Sequence, residues 1–187
     1  MEQVPPGQTV TQKWPVLTTG QTPEVSVDDW RLQITGHVER PVTMSWKDLL
    51  ALPAARVTCD MHCVTRWSKL GSEFEGARVR DVLSAARPAA SARFVMAHCY
   101  GGYTTNLPLD ELMGDDALLA YRYEGRPLEV DHGGPCRLLV PKLYLWKSAK
   151  WVNGLELMDQ DKPGFWERGG YHMNGDPWKE ERYGWAW

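Results

Sequence analysis

The residues from Thr58 to Ser68 read T-C-D-M-H-C-V-T-R-W-S. They include two of the four cysteines, one of the five histidines, an arginine and a tryptophan. Thiolates are soft ligands that select zinc, copper(I), iron–sulfur clusters or other thiophilic metals. Three chemistries are open here. Cys63 could bind a metal, with His62, Thr65 and Arg66 as polar neighbours. Cys59, His62 and Cys63 could together hold zinc, although Cys99 and Cys136 stand alone and no C-x-x-C knuckle is present. Cys63 could also be a nucleophile activated by His98 or His132. Beside these stands the ordinary role of a free cysteine as a small buried apolar side chain, which is how Cys136 is read.

A second constellation lies further on. His132-Gly133-Gly134-Pro135 leads into an apolar strand that starts at Arg137, and Lys147-Ser148-Ala149-Lys150 follows. Arginine presents a fork of donors that suits phosphate. Backbone N–H groups, the Ser148 hydroxyl and the ammoniums of Lys147 and Lys150 could hold an anion there. Alone, the lysine turn would read as exposed and basic. With His132 and Arg137 added, the segment points to a phosphate pocket. Tyr171 and His172 sit in an aromatic tail, where most such rings only pack.

These groups need a scaffold. The chain has 187 residues, enough for one domain with a real core. Hydrophobic residues make up 43 % and charged residues 24 %, an ordinary balance for a globular protein. A net charge of -3 argues against a nucleic-acid binder. No apolar run approaches the ~20 residues of a membrane span. Met1 to Thr11 lacks the basic and apolar regions of a signal peptide, so the chain is expected in the cytoplasm with reduced thiols. The 10 tryptophans imply a large binding cavity or a tail pinned by aromatic anchors.

Residues 1 to 29 read as an extended arm, with Trp14 to Leu17 packing on the body of residues 30 to 187. Trp30, Leu32 and Ile34 alternate with polar residues, the period of a half-buried strand ending at Gly36. Ser45 and Asp48 form a capping box for a helix that buries Trp46, Leu49 and Leu50 and stops at Pro53. A short strand over 55–59 feeds the Cys63 loop. Val79, Val82, Leu83 and Ala86 have helical spacing. Strands are predicted over 93–98, 103–107, 117–123 and 137–140, with a short helix from Pro108 through Met113. Asn153-Gly154 predicts a hairpin between 150–152 and 155–157. From Gly164 onward the aromatic tail has no regular pattern and is expected to lie ordered over a surface or cavity. The sum is about eight or nine short strands and two or three short helices, a mixed, β-rich α+β single domain.

Taken together, C-V-T-R-W-S at Cys63 to Ser68, G-G-Y-T-T-N-L-P-L at Gly101 to Leu109, D-H-G-G-P-C-R-L-L-V-P at Asp131 to Pro141 and K-S-A-K-W at Lys147 to Trp151 resemble the molybdopterin-binding domain of the sulfite oxidase family. The resemblance covers residues 14 to 180 and is strongest to short, single-domain bacterial sulfite oxidase-like oxidoreductases. It implies a molybdenum-dependent oxidoreductase that transfers an oxygen atom to or from a small substrate. Cys63 would bind molybdenum beside the dithiolene sulfurs of a molybdopterin without added nucleotide. His132 and Arg137 would hold the pterin phosphate, and Ser148, Ala149 and Lys150 would cradle the cofactor. His98 lies at a strand end that matches a further cofactor contact. Arg66 would hold the substrate and Tyr171, in a W-x-R-x-x-Y arrangement from Trp166, would donate a proton. The family's A-G-N-R-R after the cysteine is V-T-R-W-S here, and its Arg-Asn-His in the arm is Leu17-Thr18-Thr19. That thins the oxyanion pocket and points away from sulfite. With no C-x-x-C-H for haem, electrons would pass through a separate protein such as a flavoprotein. A non-catalytic molybdopterin carrier is the alternative, and a small zinc-binding module a further one.

Overall fold

The computed structural model describes residues 4–184. Met1 to Gln3 of the arm and Trp185 to Trp187 of the tail lie outside the described residues. In chain order the elements are β1 (Thr9–Val10), β2 (Arg31–Gly36), β3 (Val42–Ser45), α1 (Trp46–Ala51), β4 (Ala54–His62) and β5 (Trp67–Arg78). Then come α2 (Val79–Ser84), β6 (Phe94–Cys99), β7 (Thr104–Pro108), α3 (Leu109–Leu112), β8 (Leu118–Tyr123) and β9 (Arg126–Pro127). Finally β10 (Arg137–Leu139), β11 (Val152–Met158) and α4 (Phe165–Arg168) complete the set.

The strands form two sheets. A five-stranded sheet runs β3-β2-β11-β6-β7, and a six-stranded sheet is built on β1-β5-β8-β10 with β4 on β5 and β9 on β8. The main core contains Leu32 and Ile34 of β2, Val95 and Ala97 of β6, and Leu155 and Leu157 of β11. It also takes in Leu49, Val82 and Leu83 from the helices and Leu119 and Leu138 from the six-stranded sheet. The alternate residues Leu118, Ala120 and Leu139 face the other way, with Met61 and Phe74, in a second cluster that Trp14 covers. Trp14 therefore packs on the body because this sheet is apolar on both faces, whereas Pro15, Val16 and Leu17, expected to pack with it, are exposed.

Several expectations meet the structure directly. The alternation at Trp30, Leu32 and Ile34 is a strand with all three fully buried. The Ser45 capping box is complete, and Val79, Val82 and Leu83 are buried. The result is a β-rich α+β single domain. Other expectations need correction. Asn153-Gly154 makes no hairpin but lies inside β11, paired with β2 and β6 and bulged between Val152 and Gly154. A Cβ at Gly154 would sit 3.2 Å from the His98 Cβ, so this glycine serves close strand approach and not a turn. Leu50 is half exposed, and α1 buries only Leu49 fully. Long-range pairing also lengthens β4 and creates β5, so the Cys63 loop is the tip of a long hairpin.

Candidate functional site

Strand β4 ends at His62, and β5 begins at Trp67. Between them the chain turns tightly: the Cys63 N–H donates to the Trp67 carbonyl at 2.9 Å and the Arg66 N–H to the Cys63 carbonyl at 3.0 Å. Arg66 takes a φ of 73°, unusual for a residue with a side chain. The arm and the tail brace this turn. Gln8 Nε2 donates to the Cys63 carbonyl at 3.0 Å, and Arg182 Nη1 donates to the Val64 carbonyl at 2.8 Å. Arg182 Nη2 also reaches the Pro6 carbonyl at 3.2 Å.

Cys63 is buried, and its Sγ lies 3.1 Å from Thr65 Oγ1. Burial pushes the thiol up, opposed by the Thr65 hydroxyl and the Arg182 charge. Around it cluster Tyr144, Trp146, Trp67, Trp166 and Tyr171. Trp166 stacks on Tyr171 with ring centres 4.9 Å apart, and Trp146 meets Tyr171 edge-on at 5.0 Å. Burial also pushes the Tyr171 phenol above its ordinary value, so it keeps its proton near neutrality.

Cys63, Thr65, Trp67, Trp146, Trp166 and Tyr171 line a cavity of about 330 Å³. The same cavity is lined by His132, Arg137, Ser148, Ala149, Lys150 and Trp151, and by Trp14 to Gln21 of the arm apart from Val16 and Gly20. Arg137 is 2 % exposed. Its Nη1 and Nη2 donate to the carbonyls of His132 at 2.7 Å and Ser148 at 2.6 Å. Lys150 Nζ donates to the Asp131 carbonyl at 2.8 Å and lies 4.7 Å from the Trp151 ring centre. Gly133, at φ 108°, lets the chain pass where a Cβ would lie 3.0 Å from the Cβ atoms of both Arg137 and Lys150.

No carboxylate pairs with Arg137 or Lys150 among the described residues. Burial lowers Arg137 to about 10. Burial, then the Arg137 charge, lowers Lys150 to about 8. Burial, then Arg137 and Lys150, lowers His132 to about 4. Buried like charges without a counter-ion are costly. An anion entering the cavity would offset the cost of the Arg137 and Lys150 charges and would favour a proton on His132.

Seven of the residues singled out in the sequence thus meet around one cavity: Cys63, Tyr171, His132, Arg137, Ser148, Ala149 and Lys150. Two do not. Arg66 is exposed, outside the cavity lining, and its guanidinium lies against Gly7. His98 is also outside the lining and pairs with Glu156 at 2.9 Å. Strand alternation explains this: Ala97 and Cys99 face the core, so His98 faces away, and this segment reaches the cavity at Tyr100, Gly101 and Tyr103. The expected second ammonium is also elsewhere. Lys147 is fully buried beside Glu167 at 2.7 Å and donates to the carbonyls of Asn106 and Met173. Ser148 Oγ is engaged by the Val140 N–H at 2.9 Å.

Sequence reasoning missed Glu167, which accepts from Thr105, Trp146 and Lys147 and ties the tail under the aromatic cluster. Its one signal was an acid between Trp166 and Arg168 in an otherwise aromatic run. The zinc triad has no ligand set: His62 Nδ1 bonds Ser68 Oγ at 2.8 Å, and no group of three His, Cys, Asp or Glu among the described residues could hold a metal ion. Neither His98 nor His132 bonds the Cys63 thiol.

A family model described as the oxidoreductase molybdopterin-binding domain matches residues 19–166. The chain is 45 % identical to a Bacillus subtilis protein named uncharacterized oxidoreductase YuiH, over 97 % of this chain and 92 % of that one. It is 26 % identical to the protein-methionine-sulfoxide reductase catalytic subunit MsrP of Campylobacter jejuni, over 81 % of this chain and 58 % of MsrP. The solved sulfane dehydrogenase SoxCD of Paracoccus pantotrophus superposes with a TM-score of 0.70 at 25 % identity, covering 80 % of this chain and 42 % of that one. The chain therefore spans only part of the length of MsrP and SoxCD.

Proposed function

Because the chain belongs to the family of oxidoreductase molybdopterin-binding domains, we propose that it transfers an oxygen atom to or from a small uncharged substrate. It is an oxidoreductase, and its cofactor is molybdopterin with molybdenum. The residues fit that group. The cavity holds an uncompensated buried guanidinium at Arg137 and a buried thiol at Cys63. Trp67 also lines it, and its indole N–H is buried without a partner. Cys63 would ligate the metal. His132, Arg137 and Lys150 would hold the pterin phosphate, and the backbone at Ser148 and Ala149 would support it. We take the cofactor to be the form without an added nucleotide.

When bound, the cofactor supplies the paired-electron chemistry of oxygen-atom transfer. The chain supplies a dry, shaped site. The aromatic wall of Trp67, Trp146, Trp166 and Tyr171 excludes water, and the Tyr171 phenol holds a proton beside it. The observation that carries the substrate class is the absence of a cation beside Cys63 among the lining residues. Arg66 lies outside the lining, against Gly7, and Arg182, which acts on Cys63 by its charge, also lies outside it and donates to the Val64 and Pro6 carbonyls. Small oxyanions such as sulfite need cationic donors. A neutral S-oxide needs only an apolar wall and a hydrogen-bond donor, and MsrP carries a sulfoxide in its name. Reduction of an S-oxide consumes an electron pair and two protons and leaves a thioether and water. We assign the electrons to a separate redox protein, such as a flavoprotein, and the enzyme to the cytoplasm, where its four free thiols stay reduced. Cell fractionation tests that placement, and recovery outside the cytoplasm would overturn it.

The reaction is tested on protein from a host that assembles the cofactor, using a redox dye. Turnover with neutral S-oxides well above that with sulfite is expected. The reverse order would overturn the charge argument. A protein with full molybdenum and no turnover on either class would be a carrier.

A further inference from the structure

One wall of the cavity differs in kind from the rest. Pro15, Leu17, Thr18, Thr19 and Gln21 line it, yet residues 15–21 are all exposed. Among the described residues, no hydrogen bond joins residues 14–25 to the body; the backbone pairing of the arm stops at Thr11, bonded to Ser68. The segment is held only by side-chain packing near its two ends. At one end Trp14 stacks on His132 with ring centres 3.8 Å apart and planes at 14°. The same indole lies edge-on to Phe74, tilted against Tyr123, and 5.4 Å from the Arg137 guanidinium. At the other end Pro23 lies against Gly101, and Val25 packs on the main core. Segments with few hydrogen bonds and little burial open at low cost, independently of the core.

We infer that residues 14–25 form a strap that opens to admit the cofactor and then retains it, with Trp14 as the latch. The geometry couples the latch to the ligand. Trp14 stacks on two of the three groups that would hold the anion, His132 and Arg137. An anion bound there fixes both groups and favours a protonated His132, on which an indole stacks more strongly than on the neutral ring. Loading would therefore tighten the latch, and an empty pocket would leave it loose. Asp131 and Lys150 are the other charged groups acting on His132. Trp14 lies outside the span matched by the family model, so the latch is a reading of this chain's own geometry. The inference rests on cofactor binding and not on the substrate.

The test compares the full chain loaded with cofactor and cofactor-free, as wild type, Trp14→Ala and Trp14→Phe. Two readouts serve: loss of pterin fluorescence and molybdenum on dialysis, and chymotrypsin cleavage after the exposed Leu17, located by mass spectrometry. Loading should slow cleavage after Leu17 by about tenfold or more in the wild type. Trp14→Ala should release the cofactor roughly tenfold faster and erase the protection, while Trp14→Phe, which keeps the ring packing, should recover most of both. Equal cleavage in loaded and empty wild type, or equal release from Trp14→Ala and wild type, would overturn the strap alone. A protein that never carries pterin would overturn the cofactor assignment with it. Unchanged circular dichroism in Trp14→Ala separates the latch from unfolding.

Discussion

The cationic and the thiol sides of the cavity are built on opposite principles. Arg137 and Lys150 gather positive charge with no carboxylate paired to either among the described residues, beside His132, on backbone fixed by carbonyl hydrogen bonds. Cys63 is ringed by tryptophan and tyrosine, while Arg182 donates to carbonyls and Arg66 lies against Gly7, both outside the cavity lining. No hydrogen bond or ring contact joins the two groups among the described residues. One side stores electrostatic cost that a bound anion relieves, and the other offers hydrogen-bond donors such as the Trp67 indole but no cation among its lining residues. That difference separates holding the cofactor from choosing the substrate.

Breaking each side should therefore fail differently. The largest effect is expected for Cys63→Ser, which should abolish turnover while the pterin stays bound; loss of pterin as well would mean that the two sides are not separate. Arg137→Gln should do the converse, weakening pterin retention more than about a hundredfold through loss of a buried charge. Pterin fluorescence after gel filtration checks it. Glu167→Gln should strand the buried Lys147 without its anion and cost about 3–5 kcal/mol of stability. Protein that still folds should hold pterin almost normally, so thermal unfolding and pterin content should part company.

The cationic side also predicts opposed responses to pH. Lys150 is lowered from 10.5 to about 8, so in this window the unfolded chain binds the extra proton. Cofactor-free protein should gain stability from Lys150 as pH rises from about 8 toward 10.5. Affinity for the anionic cofactor should fall over the same range as the ammonium is lost. Parallel denaturation and pterin-release series would show the two curves diverging; curves that move together would remove Lys150 from the anion site. The smallest effect is assigned to Arg66→Gln. Its side chain lies outside the cavity lining, so turnover should change by no more than about twofold, and a large loss would restore Arg66 to the substrate.

Much of this was legible in the sequence where chemistry is local. Cys63, His132, Arg137 and Lys150 were marked by residue type and spacing, and the Ser45 cap and the Trp30 to Ile34 alternation follow from short-range rules. What was lost depends on partners far along the chain. Asn153-Gly154 has the composition of a turn, but β2 and β6 claim it as strand. His98 sits in the right segment on the wrong face. Lys147 has the charge for an anion site, yet Glu167, distant in sequence, takes it into the core. Nothing in T-Q-K-W-P foretells that Trp14 will stack on His132.

The most direct test of the central claim is X-ray absorption at the molybdenum edge on loaded wild type and Cys63→Ser. If the cationic side holds the cofactor and Cys63 completes the metal site, the variant should keep its molybdenum and show one fewer sulfur neighbour. An unchanged sulfur shell in the variant would contradict the account, because the thiol would then not be a ligand.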